Sequence, residues 1–227
     1  MEPFGALILA GGQGRRLGGV HKPGLLVDGV SLLDRVLAAV VGAAPVVVIG
    51  PPQPVPAEVI LVREDPPGGG PVAALAAGLS VVARPFSYAV SPTTAEWLAV
   101  LAGDLPFLTP ATLELVRRTA SEKSSKTSAT ADGAVLVDAD GRDQYLAGVY
   151  RIDALRAALA AVGDPTGLAL RRVVGGLELR RVALPVEPGA APPWFDCDDA
   201  EDIRLAESFA RRAGQPALKE ATDERSG

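Results

Sequence analysis

The 227-residue chain is short of several things that would direct a functional reading. Cys197 is its one cysteine, which excludes an internal disulfide and a cysteine-rich zinc site. A reducing cytoplasm suits such a chain. His21 is its one histidine, and a lone histidine receives no role here. Long basic runs are absent and the net charge is -5, which excludes a general nucleic-acid binder but not a basic pocket. The apolar run over 6–10 is too short for a signal segment or a membrane span, and Met1-Glu2-Pro3 brings no basic residue. A cytoplasmic location away from membranes is therefore the expectation. Aromatic residues make up 4% against abundant Ala, Val and Leu, a compositional bias without functional content. There is no internal repeat.

What is present begins with Leu7-Ile8-Leu9-Ala10-Gly11-Gly12-Gln13-Gly14-Arg15-Arg16-Leu17-Gly18-Gly19, closed by Lys22. The apolar start suits a buried strand of a parallel sheet. The glycines let backbone approach a ligand closely, and their N–H groups, with Arg and Lys beside them, can surround a phosphate. The loop is not a Walker A, because Lys22 precedes Pro23 rather than Ser or Thr. It is not the dinucleotide fingerprint either, because Leu17 stands where a third small residue belongs.

Further on, strands are expected at 45–50, 59–62, 97–102, 134–137, 145–150 and 177–184, with short extended pieces at 25–29 and 194–197. Helices are expected after Ser31, over 72–82, around 110–119, over 153–162 capped by Asp153, over 167–174, and from Asp199 to about 212. Residues 121–132 are polar and read as a mobile loop. The chain divides into one domain over 1–212 and a disordered tail over 213–227. Alternating strands and helices argue for an α/β three-layer, mainly parallel, Rossmann-like sheet flanked by helices. Ligands then bind at the carboxyl ends of strands, where the loops 11–22, 63–71 and 103–106 fall.

The opening loop resembles the signature of the molybdopterin nucleotidyltransferases, and most closely the molybdenum cofactor guanylyltransferases, the MobA family. Leu-Ala-Gly-Gly at 9–12 resembles the GTP users, where CTP users have Leu-Ala-Ala-Gly. Glu64-Asp65 with Gly70-Pro71, the Gly103-Asp104-Leu105-Pro106 segment, residues 140–151 and residues 194–203 resemble later family segments in the same order. Together they span about residues 5–205.

The resemblance implies GMP transfer from GTP to molybdopterin or its molybdenum form, with Mg²⁺ as cofactor and pyrophosphate as leaving group. Molybdoenzymes or other cofactor-synthesis proteins are the implied partners. Leu9, Ala10, Gly11, Gly12 and Gly14 would meet the nucleotide, and Lys22 its phosphates. Arg15 would neutralise the leaving pyrophosphate, while Arg16 beside it reads equally as a surface charge. Asp104 is expected to hold the metal; it stands six residues before Pro110, too early to cap that helix. Asp65 is either a turn residue or a nucleoside contact. Asp198 either joins Asp104 at the metal or, with Asp199, caps the last helix. Gln144 and Tyr145 are either a strand end or part of the pterin side.

Several positions depart from the family pattern. Asp196 and Asp198 replace asparagines, His21 replaces an aspartate, and Ile49-Gly50-Pro51-Pro52 stands where an asparagine follows the second strand. Two other enzymatic readings keep the fold: a CTP-dependent molybdopterin cytidylyltransferase, or a sugar-1-phosphate nucleotidyltransferase. A non-enzymatic reading is a homologue that binds the nucleotide or cofactor and delivers it.

Overall fold

The computed structural model describes residues 3–11, 22–82, 95–122 and 131–214. Among these, seven strands form one sheet in the order β5-β4-β1-β6-β8-β7-β9. Four of them, β1 (Phe4–Leu9), β4 (Val46–Ile49), β5 (Ile60–Val62) and β6 (Trp97–Ala102), run parallel. β8 (Asp143–Arg151) is antiparallel to both β6 and β7 (Gly133–Val137), and β9 (Leu179–Ala183) runs parallel to β7. A separate hairpin joins β2 (Leu26–Val27) to β3 (Val30–Ser31). Its tip, Asp28 (φ 51°) and Gly29 (φ 74°), has the left-handed pair that tight hairpins favour.

The sheet is buried on both faces, which explains its unbroken apolar strands. Along β1, Ala6 and Ile8 face one core and Leu7 and Leu9 the other. The first core packs α1 (Leu32–Ala39) and α3 (Pro110–Ser121) through Leu33, Val36, Leu113 and Val116. The second packs α2 (Pro71–Val82), α4 (Ile152–Val162) and the one-turn α5 (Arg171–Val174) through Leu75, Leu79, Leu155 and Val173. The three-layer expectation thus holds.

A third, smaller cluster joins the hairpin to α6 (Ala200–Gly214) through Val27, Leu32, Cys197 and Ala206. Phe107, Phe195 and Phe209 meet edge to face on its border, with ring centroids 5.7–6.0 Å apart.

Caps explain most helix starts. The Ser31 hydroxyl accepts from Asp34 N at 3.0 Å, and Thr109 caps α3 in front of Pro110. Asp199 accepts from the Glu201 and Asp202 amides, while Asp202 accepts from those of Asp198 and Asp199. Three expectations need correction. Asp153 is no cap: β8 runs straight into α4, Arg151 takes the cap position, and Asp153 lies in the first turn. The helix expected over 167–174 is reduced to α5, because Gly167 (φ 71°) donates its N–H to Gly69 O at 2.7 Å instead of starting a helix. Residues 193–194 form a turn, with Phe195 N donating to Pro192 O, and 195–197 pair with no described strand.

No helix among the described residues is long and apolar enough to cross a membrane. Most of the loop expected over 121–132, and the tail beyond 214, lie outside the described residues.

Candidate active site

The chain passes from β1 to β4 on one side and returns to β6 on the other, so the sheet reverses its winding beside β1. Such a switch point leaves a crevice beyond the strand ends. A cavity of about 480 Å³ lies there, lined by Leu9, Gly11, Glu64, Gly68, Gly70, Pro71, Ala74, Ala102, Asp104 and Leu146. The three loops singled out in the sequence thus converge on one space. A wider cavity of about 760 Å³ lies against α4 and α5, but none of the candidate site residues lines it.

Close packing at the strand ends shapes the cavity. A Cβ on Gly50 would stand 2.7 Å from Ala10 O and 3.2 Å from Gly11 N, contacts only a glycine avoids. Within the 49–52 segment, position 50 therefore has no room for a side chain. Ala10 is buried and donates its N–H to Ile49 O at 2.8 Å, while Leu9 O accepts from Gly103 N at 3.0 Å.

At the open end, Lys22 Nζ is shared by two carboxylates. It pairs with Asp104 Oδ2 and lies 2.5 Å from Asp198 Oδ1. The third hydrophobic cluster brings these residues together. Leu25 follows Lys22, Phe107 follows Asp104, and Cys197 precedes Asp198, and all three pack in that cluster. Asp199, not Asp198, supplies the α6 cap, so the Asp198 carboxylate reaches Lys22. Burial works against the Lys22 charge, but the Asp104 and Asp198 carboxylates outweigh it and hold the ammonium above the ordinary lysine range. Asp196 lies beside the same group. Partial burial, then the Asp198 and Asp104 charges, push its carboxyl above the usual aspartate range. Burial pushes the Cys197 thiol up to about 12, so it offers no thiolate nucleophile near neutral pH.

Two carboxylates that share one ammonium can also share a small hard cation. All-oxygen donors and open access to water suit Mg²⁺, which keeps several waters and needs few protein ligands. Among the described residues no group of three or more His, Cys, Asp or Glu is placed to enclose a metal. The pair would therefore hold an ion only together with oxygens from a substrate.

A second cavity of about 360 Å³ adjoins the first, sharing Pro71, Ala102 and Leu146. Gln144, Tyr145, Arg171, Trp194 and Asp196 stand in its wall. The β7–β8 ladder shifts register here, from Val135 opposite Gly148 to Leu136 opposite Gln144. Residues 145–147 fill that bulge and line the cavity. The Tyr150 hydroxyl closes it by donating to Tyr145 O at 2.7 Å.

The structure thus gathers Leu9, Ala10, Gly11, Lys22, Asp104 and Asp198 at the carboxyl ends of the central strands. Gly12, Gly14, Arg15, Arg16 and His21 lie outside the described residues. Asp65 is exposed and absent from the cavity wall, where Glu64 stands instead. Glu64 entered the sequence reading only within the Glu64-Asp65 segment and Arg171 only within the helix expected over 167–174; neither was singled out as a site residue. For Glu64 a signal existed: Ile60 and Val62 face the second core, and position 64 continues their alternation.

A family model described as "MobA-like NTP transferase domain" matches residues 6–182. A protein of Mycobacterium tuberculosis named "Probable molybdenum cofactor guanylyltransferase" is 33% identical over 155 residues, covering 66% of this chain and 69% of that protein. Two solved structures share the fold. One is a molybdopterin-guanine dinucleotide biosynthesis protein A from Archaeoglobus fulgidus, with TM-score 0.61, 19% identity, and coverage of 91% of this chain and 98% of that one. The other is a nucleotidyl transferase from Methanothermobacter, with TM-score 0.65, 21% identity, and coverage of 93% and 100%. Fold, strand-edge crevice and matches define a nucleotidyltransferase. The chain belongs to the MobA-like NTP transferase family.

Proposed function

We propose that the protein transfers GMP from GTP to molybdopterin, or its molybdenum form, and releases pyrophosphate. The observation that carries this is the convergence of Asp104, Asp198 and Lys22 beside the cavity lined by Gly11, Gly68 and Gly70. The name of the mycobacterial relative supports the choice of guanylyl transfer over the cytidylyl and sugar-phosphate alternatives.

The glycine-lined cavity takes the nucleoside, and the cavity around Trp194, Tyr145 and Gln144 takes the acceptor. The acceptor's terminal phosphate oxygen attacks the α-phosphorus of GTP in line. A phosphorus–oxygen bond forms there, and the bond to the β-phosphate bridging oxygen breaks. The attacking oxygen is already anionic, so no strong general base is required. Catalysis consists of positioning and charge neutralisation. Lys22 faces the phosphates, with Arg15 assigned to the leaving pyrophosphate. Asp104 and Asp198 would hold Mg²⁺, which when bound adds positive charge at the reacting phosphates. The cytoplasm, where the Cys197 thiol stays reduced, is the assigned compartment.

The test is Asp104→Ala. Pyrophosphate release with GTP and molybdopterin should fall at least about 100-fold, the scale on which one charge-stabilising group acts, with the thermal midpoint close to wild type. Undiminished Mg²⁺-dependent turnover would remove Asp104 from the mechanism.

A further inference from the structure

Glu64 is one of two buried charged side chains among the described residues, with 9% of its surface accessible. Its Oε1 accepts from Gly68 N at 2.9 Å. Its Oε2 is buried and has no hydrogen-bond partner. Buried polar atoms are rarely left unmatched, and a carboxylate oxygen is a demanding one. The other buried charge, Arg117, holds Glu114 through two nitrogens and faces the Phe4 ring, so it is matched within the fold. Glu64 instead stands in the wall of the nucleotide cavity together with Leu9, Gly11 and Ala74, its Oε1 3.7 Å from where a Gly11 Cβ would lie. Flat apolar and glycine surfaces suit a planar heterocycle.

We propose that Glu64 reads the base of the bound nucleotide and selects guanine. This inference rests on the nucleotidyl-transfer reading above and assigns its base specificity. An ionised carboxylate only accepts hydrogen bonds. Guanine presents two adjacent donors, N1–H and the N2 amino group. Cytosine and adenine each pair one amino donor with a ring acceptor, which a carboxylate repels. Uracil sets its single N–H between two carbonyls. Guanine is thus the base whose edge satisfies Oε2 and leaves the Gly68 bond to Oε1 intact. Gly68 lies at φ 77°, in the left-handed region that glycine adopts without strain, and its N–H holds Glu64 Oε1. Asp65, exposed and away from the cavity wall, takes no part in reading the base.

The test is calorimetric titration of the full chain with GTP, ITP and CTP, with Mg²⁺ and without acceptor. ITP keeps the N1–H of GTP and lacks the 2-amino group. The wild type should bind GTP about tenfold more tightly than ITP, and CTP weakest, as expected for loss of one good base contact. Glu64→Gln keeps the side-chain shape but replaces one acceptor by a donor. In either amide orientation a donor then faces a donor, at Gly68 N–H or at the base. GTP affinity should fall about 10–100-fold and the GTP/ITP ratio should approach one. A Gln variant that keeps the wild-type ratio overturns the role of Glu64 and leaves guanylyl transfer standing. Wild-type binding of CTP in preference to GTP overturns the guanylyl reading itself. Equal wild-type binding of GTP and ITP overturns the inference without any variant, so the test does not depend on Glu64→Gln folding.

Discussion

Asp196 shares with Asp104 and Asp198 the neighbourhood of the Lys22 ammonium, and partial burial, then those two charges, hold its carboxyl above the usual range. A carboxyl raised in the folded state adds stability below about pH 3.8, its ordinary value, and that contribution is lost as the pH rises. At neutral pH the charged Asp196 therefore works against the fold. Asp196→Asn should raise the thermal midpoint at pH 7 by a few degrees at most, because the residue is exposed and water screens it. The gain should shrink as the pH falls towards 3.8, where the wild-type carboxyl carries its own proton. Calorimetric scans at both pH values check this; a lower midpoint at pH 7 would contradict the crowding.

At the scale of elements, the ends of β4, β1 and β6 close around Ala10 and Gly11, and this fixes what the site can contain. A Gly50 Cβ would fall 2.7 Å from the Ala10 carbonyl oxygen. Gly50→Asn should therefore cost about 1–3 kcal/mol, as overpacking does. Urea unfolding measures it, and wild-type stability in the variant would contradict the close approach. The strands and the Ser31 and Asp199 helix starts were legible because they rest on local chemistry: apolar runs and capping side chains. Asp153 misled because its helix follows β8 with no loop between them. The 167–174 stretch misled because Gly167 serves the second glycine loop across space. The bulge over 145–147 and the antiparallel insertion of β8 depend on pairing partners far away in sequence.

For the whole molecule, the two large cores sandwich the sheet, and the third cluster pins the site. That cluster places residues 22, 104 and 198 together although 176 positions separate the Lys22–Asp198 pair. The resemblance named these residues in advance; no local pattern could say that one ammonium would lie between two carboxylates. Nor could local pattern separate buried Glu64 from exposed Asp65, because adjacent acidic residues differ only in which face the loop presents. The central claim is that this crevice moves GMP, and no other nucleotide, onto a pterin phosphate. The direct measurement is pyrophosphate release with Mg²⁺ and molybdopterin, given GTP, CTP or UTP in turn, with the mass of the product. Acceptor-dependent release from GTP alone, yielding the guanine dinucleotide, is the predicted result. Release from CTP in preference to GTP, or GTP binding with no release, would contradict it.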